Sequence, residues 1–329
     1  MRVAIIGATG LVGRKMLIVL SERKFEISEL IPVASEGSVG KSVVFDGREL
    51  NIVSIDDAVK AQPDIALFSA GSAVSKQWAP EFAANEVYVI DNSAAWRMEP
   101  GIPLVVPEVN GDDLHKGKFI IANPNCSTIQ MVVALGPLHR ALGIKRLVVS
   151  TYQSISGTGK GAVSQYEAER DGIPAESVYP HPIFENCIPQ CDVFLENGYT
   201  REEMKLVHET RKILHAPNLA ITATAVRVPV LGGHSESVNV EFETAMDLKK
   251  IRALLEEAPG VVVMDDPNMH VYPMPLTAHE QDDVFVGRLR SDPTLANTIN
   301  MWIVSDNLRK GAATNAVQIA ELIREKGFV

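Results

Sequence analysis

The sequence predicts an α/β protein: an N-terminal doubly wound, Rossmann-type dinucleotide-binding domain, followed by a mixed α+β domain. Three observations carry that expectation. Short apolar runs alternate with helix-length stretches through the first 125 residues, a glycine-rich joint links the first run to the first helical stretch, and beyond residue 126 the apolar runs grow longer and richer in β-branched residues. Alternating strand and helix signals favour a parallel sheet with helices on both faces. The longer β-branched runs favour a second, mixed sheet.

The chain opens on "RVAIIG", a buried-strand pattern, and "LVGRKMLIVLSE" continues it as a helix with apolar residues at three-to-four spacing. "ELIPVAS", "DIALFSA", "VYVIDN" and "FIIAN" are the further strand candidates of this domain. The joint between first strand and first helix reads "GATGLVG", with Gly7, Gly10 and Gly13. Glycines permit a tight turn and close backbone approach, and a helix start offers unpaired N–H groups to a pyrophosphate, so the position favours dinucleotide binding over a purely structural turn. The stretch after the second strand, "ASEGSVGKS" at 34–42, bears on which dinucleotide is bound. Glu36 would favour the ribose hydroxyls of NAD, whereas Ser35, Ser38 and Lys41 would hold the 2′-phosphate of NADP. A second phosphate loop here is rejected, because Ser35 stands where its first glycine would be.

Past residue 126, "GIKRLVVSTYQSIS", "AITATAVRVPV", "SESVNVEFE" and "GVVVMDD" read as strands and "TREEMKLVHETRKIL" as a helix. "NLRKGAATNAVQIAELIREKG" is a last helix whose apolar face would return to the first domain. The expected division is 1–125 with 307–329 for the dinucleotide and 126–306 for catalysis.

Composition narrows the partners. The 329 residues are 46% hydrophobic, enough for two cores, and a net charge of −10 leaves no basic face for nucleic acid or an anionic membrane. Small molecules are expected instead. No apolar run approaches the roughly 18 residues of a membrane span and no signal-peptide pattern precedes the first strand, so a cytoplasmic protein is expected. Cys126, Cys187 and Cys191 are too few for a disulfide scaffold, and the last two lack a second ligand pair, so no metal is expected.

Cys126 sits in "ANPNCSTIQMV", where Pro124 ends a strand-like run and Asn125 is an acceptable N-cap. The thiol then falls on the first turn of a helix, where the dipole favours thiolate and makes the sulfur a nucleophile near neutral pH. The competing possibility is a buried small hydrophobe. Beside a dinucleotide, a thiolate suggests an acyl group carried as a thioester while hydride passes between its carbonyl carbon and the cofactor. "RVPVLGGHSES" adds Arg227, able to clamp a carboxylate, and His234, able to cycle a proton near neutral pH.

In chain order, "GATGLVG", "NSAAWRM", "NPNCST", "YQSISGTGKGA", "EEMK", "RVPVLGGHSES" and "SDNLRKGAA" form a set that resembles the aspartate-semialdehyde dehydrogenase family along essentially the whole chain. The resemblance implies NADPH-dependent reductive dephosphorylation of L-aspartyl-4-phosphate to L-aspartate 4-semialdehyde through a cysteine thioester, in lysine, diaminopimelate, threonine, methionine and isoleucine biosynthesis. It implies Cys126 as nucleophile, His234 as general acid/base and Gln153 as the amide that places substrate and thioester. By the same resemblance Arg227 clamps the substrate α-carboxylate, Glu202 receives its α-ammonium, and Arg97, Asn125 and Lys205 hold the phosphoryl group. Gly7, Thr9, Gly10, Leu11 and Val12 match the family's cofactor loop, Ser156 and Gly157 a second cofactor contact, and Asn307 a late one. Many members carry an arginine where this chain has Gly37, between Ser35 and Ser38, so NADP is expected to be preferred with some use of NAD. A homodimer formed through the second domain is expected. Two alternatives stand beside this: an N-acetyl-γ-glutamyl-phosphate reductase-like enzyme, whose substrate lacks a free ammonium for Glu202, and a non-catalytic dinucleotide-binding paralogue.

Overall fold

The computed structural model describes residues 1–174 and 176–329, and the chain divides into two compact units, Met1–Asn125 with Ala312–Val329 and Cys126–Gly311. In the first unit β1 (Arg2–Ile6), β2 (Glu29–Val33), β3 (Ser42–Phe45), β4 (Arg48–Asn51), β5 (Ile65–Phe68), β6 (Tyr88–Asp91) and β7 (Ile120–Ala122) follow one another. Five of them pair in parallel in the order β2-β1-β5-β6-β7, while β3 and β4 form a separate antiparallel hairpin. Side chains alternate across β1. Val3 and Ile5 pack with Met16 and Leu20 of the helix Leu11–Glu22 and with Val317 and Ile323 of the helix Thr314–Glu325, whereas Ala4 and Ile6 pack with Ala58, Ala79 and Phe82 on the other face. Two cores on opposite faces of one parallel sheet make the doubly wound arrangement that the strand and helix alternation predicts. Because β2 and β5 flank β1, the winding reverses at the carboxyl end of β1, where such sheets bind ligands.

At that end the glycines do different work. Gly7 takes φ +92°, and a Cβ on Gly13 would stand 2.1 Å from the Gly7 carbonyl oxygen, so helix and strand end meet backbone to backbone. At Gly10 the nearest atom to an added Cβ is that same oxygen at 3.4 Å, an ordinary contact. Gly13→Ala is therefore expected to destabilise the protein by on the order of 1–3 kcal/mol, as overpacking does. Gly10→Ala is expected to unfold like the wild type, and thermal unfolding of the two variants side by side checks the contrast.

The returning piece of this unit starts at Ala312, not at 307 as expected from the sequence. Residues 307–311 belong with the second unit because the Asn307 side chain is held there by Ser154, Ser156 and the Gly233 amide. A π-helical turn, Arg309–Ala313, carries the chain from one unit to the other.

In the second unit β8 (Ile144–Gln153), β9 (Ala220–Arg227), β10 (His234–Phe242), β11 (Val261–Val263), β12 (Val284–Ser291) and β13 (Thr298–Ser305) pair in the order β11-β12-β13-β10-β8-β9. β12, β13, β10 and β8 are antiparallel to their neighbours, with β9 and β11 added in parallel at the edges. The helices Cys126–Leu142, Arg201–Ile213 and Leu248–Glu256 pack on one face. Every residue from Ser127 to Gly136 is buried, so the first of these is a core helix, and its amino end meets the carboxyl end of β8. The opposite sheet face carries Tyr152, 38% exposed, with its ring 5.3 Å from that of Trp302. Among the described residues no helix is long and apolar enough to cross a membrane.

Candidate active site

Three neighbouring strands and two helices bring most of the predicted residues of the second unit together. Gln153 at the end of β8 pairs with Arg227 at the end of β9, and Tyr152 pairs with Ser235, which sets His234 at the start of β10 on the other side. Cys126 begins the helix Cys126–Leu142, and the next residue's hydroxyl, Ser127 Oγ, accepts a 2.6 Å hydrogen bond from Gln153 Nε2. A Cβ on Gly311 would lie 2.9 Å from Cys126 Cβ, so a glycine backbone forms the wall against the half-buried cysteine. Among the described residues none of the three cysteines is in a disulfide.

His234 is 1% exposed, and its ring is oriented from behind. The Ser154 amide N–H donates to Nδ1 at 3.0 Å, so Nδ1 accepts and the ring proton resides on Nε2. Among the described residues Nε2 has no hydrogen-bond partner, which leaves a donor available for a reacting oxygen. Burial lowers the His234 pKa to about 3, the Arg227 charge adds to that, and Glu202 acts in the opposite direction. A Cβ on Gly157 would stand 3.0 Å from Arg227 Nη1 and 3.1 Å from His234 Nε2, so only glycine leaves both groups in place. Ser156 and Asn307 belong to the same network through Asn307 Nδ2, 3.0 Å from Ser156 Oγ.

Arg227 Nη1 donates to the Ser154 carbonyl at 2.5 Å, and its buried Nε has no partner among the described residues, leaving one edge of the guanidinium for an anion. The helix Arg201–Ile213 is fixed by a capping box between Thr200 and Glu203, and Glu203 Oε1 also accepts from the Ala225 amide of β9 at 2.9 Å. That anchoring aims Glu202 inward: Oε1 accepts from Gln153 Nε2 at 3.0 Å, and Oε2 lies 2.9 Å from Lys205 Nζ. Lys205 also reaches Asp192 at 3.0 Å. Burial pulls the Lys205 pKa down, but Glu202 and Asp192 more than offset it and the pKa is raised, so Lys205 remains a cation. Cys191 is buried and its thiol is pushed up to about 12, chiefly by burial, which suits a core thiol and not a nucleophile.

In the first unit, Gly7, Thr9, Gly10, Leu11 and Val12 form the turn at the end of β1 and the start of its helix, and no side chain caps that helix. A backbone-lined turn with an uncapped helix start fits a dinucleotide pyrophosphate. Ser35 precedes a short 3-10 turn, Glu36–Ser38, and nothing lies within 4 Å of a Cβ built on Gly37. The absence of an arginine at 37 therefore has no steric cause. Arg97, 7% exposed, donates to the carbonyls of Asn123 and Asn92, each at 3.0 Å, and Asn125 is equally deep at 6%.

Three groups were not foreseen: Ser127, which orients Gln153; Ser154, which orients His234; and Arg14, whose Nε donates to the Thr9 carbonyl at 3.1 Å beside the glycine turn. The two serines carry no spacing signal, because Ser154 meets His234 only through the pairing of β8 with β10, and Ser127 meets Gln153 only through packing of its helix on the sheet. Arg14 stood next to Gly13 in the sequence and was readable as a cation at a phosphate loop.

Residues 2–117 match the NAD binding domain of semialdehyde dehydrogenase and residues 135–310 its dimerisation domain. The chain is 52% identical to an aspartate-semialdehyde dehydrogenase of Aquifex aeolicus, covering 100% of this chain and 99% of the relative. It is 47% identical to that of Bacillus subtilis, over 100% and 99% respectively. A crystal structure of aspartate semialdehyde dehydrogenase II from Vibrio cholerae complexed with ASA superposes with a TM-score of 0.95 at 46% identity, covering 99% of this chain and 98% of that one.

Proposed function

The chain belongs to the aspartate-semialdehyde dehydrogenase family, NADP-dependent oxidoreductases that act on an aldehyde group, and we propose on that premise that Cys126, His234, Gln153, Arg227, Glu202 and Lys205 carry its reaction. In the biosynthetic direction the Cys126 sulfur attacks the acyl carbon of L-aspartyl-4-phosphate, the C–O bond to phosphate breaks, and a thioester forms. NADPH, when bound, supplies the hydride that reduces the thioester carbonyl. His234 Nε2–H is the donor placed to stabilise the resulting oxyanion, and collapse of that oxyanion re-forms a C=O bond and expels the Cys126 thiolate. The proton taken up overall ends on inorganic phosphate. Gln153, fixed by Ser127 and Glu202, holds the acyl group, and Lys205 offers a cation to the phosphoryl group. From the first unit, Arg97 and Asn125 are proposed phosphoryl ligands; Gly7, Thr9, Gly10, Leu11, Val12, Ser35, Gly37 and Ser38 are proposed cofactor contacts, joined by Ser156, Gly157 and Asn307 of the second.

The observation that carries the substrate assignment is the pair of opposite charges within one site. Arg227 and Glu202 both act on His234, and both flank Gln153, one through strand pairing and one through a hydrogen bond. A buried arginine and a buried glutamate at one acyl site suit a substrate with an α-carboxylate and an α-ammonium. An N-acetylated substrate would leave Glu202 facing a neutral amide. The matched dimerisation domain supports a homodimer, and the sheet face bearing Tyr152 and Trp302 is the surface we assign to it.

Phosphate-dependent reduction of NADP, with NAD in parallel, tests this directly when L-aspartate 4-semialdehyde is compared with N-acetyl-L-glutamate 5-semialdehyde. Turnover of the aspartate aldehyde, dependent on phosphate and faster with NADP, is expected. Preference for the acetylated aldehyde would overturn the role given to Glu202.

A further inference from the structure

Behind the reacting residues lies a second layer with the same geometry. Gln130 is one helical turn after Cys126, Thr151 is two residues before Gln153 on β8, and Glu236 is two residues after His234 on β10. Thr151 and Glu236 are direct cross-strand partners, and all three side chains are buried, at 1%, 0% and 0% exposure in the order Gln130, Thr151, Glu236. Gln130 Nε2 donates to the His234 carbonyl at 3.3 Å, which links the nucleophile's helix to the histidine's strand. Among the described residues, four polar atoms in this layer have no hydrogen-bond partner: Gln130 Oε1, Thr151 Oγ1 and both carboxyl oxygens of Glu236.

We propose that Glu236 is a positioning residue for the reaction, closing with Gln130 and Thr151 a hydrogen-bonded layer that holds His234 in register with Cys126. The inventory of donors decides its form. An ionised carboxylate can only accept, and among the described residues no donor reaches it in ordinary hydrogen-bond geometry, whereas a carboxylic acid brings an O–H of its own that the unpartnered Gln130 Oε1 can accept. Burial pushes the Glu236 carboxyl well above its usual 4.5, and Gln130 lies close enough to pull it partly back without a hydrogen bond of ordinary geometry. The chain of contacts then runs from Glu236 through the Gln130 amide to the His234 backbone. A neutral acid also spares the site a negative charge two residues from its proton carrier.

The layer matters for turnover only if Cys126 and His234 are the reacting pair, the assignment on which it rests. Glu236→Gln keeps the shape and supplies a donor, so kcat within a few-fold of wild type is expected, whereas Glu236→Leu is expected to lower kcat roughly 10- to 100-fold with KM unchanged, as a misplacement of the histidine would. Gln130→Met should reproduce the Leu variant, and the double substitution should be no worse than either alone, because both break one chain of contacts. Infrared difference spectra of wild type against Glu236→Gln at pH 7 should show a protonated-carboxyl C=O band, a readout that needs no turnover and that survives if the leucine variant fails to fold. No such band, or a glutamine variant as impaired as the leucine one, overturns the proposal. A Cys126→Ala control separates the failures: turnover retained there overturns the nucleophile, while wild-type kcat in folded Glu236→Leu with Cys126 essential overturns the positioning role alone.

Discussion

Cys126→Ala is expected to lower phosphate-dependent NADP reduction by on the order of 10⁴- to 10⁶-fold, the scale on which removal of a covalent nucleophile acts. The change deletes one atom. Alanine retains the Cβ that packs against Gly311, and Cys126 opens a helix whose next ten residues are buried by their own contacts, so unfolding of the variant should match the wild type. Nothing else in the site replaces the sulfur. His234 presents a proton on Nε2 and not a lone pair, Gln153 is an amide, and Cys191 is a buried thiol pushed up to about 12. Initial rates give the loss, and mass spectrometry of quenched wild type should show an acyl adduct on the Cys126 peptide that the variant lacks. Activity within tenfold of wild type would mean that hydride transfer does not pass through a thioester on this residue.

The parallel sheet was legible because each of its strands centres on an apolar run buried on both faces, and the turn at Gly7 and Gly13 is one that a side chain would block. The hairpin β3–β4 was not foreseen although Asp46-Gly47, at φ +48° and +74°, is the pair that a two-residue hairpin turn favours. β4 has no apolar run, and the one in β3 is only three residues long, so neither stands out as the longer buried strands do. β12 escaped for a different reason: its pairing shifts register between Gly287 and Arg290, with Arg288 at φ +57°, and the alternation that would announce a strand is broken there. The proposed reacting residues were visible as motifs, but their orientation was not. Ser154 reaches His234 and Glu236 meets Thr151 only once β8 and β10 pair, contacts that no local spacing records.

His234→Asn is expected to lower kcat by about 10²- to 10⁴-fold, the usual contribution of a positioned proton donor, and to change how stability depends on pH. In the folded protein burial and Arg227 hold the His234 pKa at about 3, against 6.5 for an ordinary histidine. Between those values the unfolded chain binds a proton that the folded protein refuses. The stability His234 allows is therefore fully present above pH 6.5 and is lost as pH falls toward about 3, at a limiting slope of about 1.4 kcal/mol per pH unit. Glu236 runs the other way: its raised pKa gives a contribution fully present below 4.5 and lost as pH rises, so only the difference between wild type and variant isolates the histidine. Urea unfolding at pH 7, 6, 5 and 4 should show the asparagine variant gaining on the wild type at each step down, and parallel curves would show that His234 is not held neutral. The same electrostatics fixes the sign of the kinetic profile. A substrate α-carboxylate on Arg227 cancels the larger charge effect on the His234 pKa, and its α-ammonium on Glu202 cancels the smaller, opposing one, so protonation of His234 should appear at higher pH in kcat, which reports the complex, than in kcat/KM, which reports the enzyme alone.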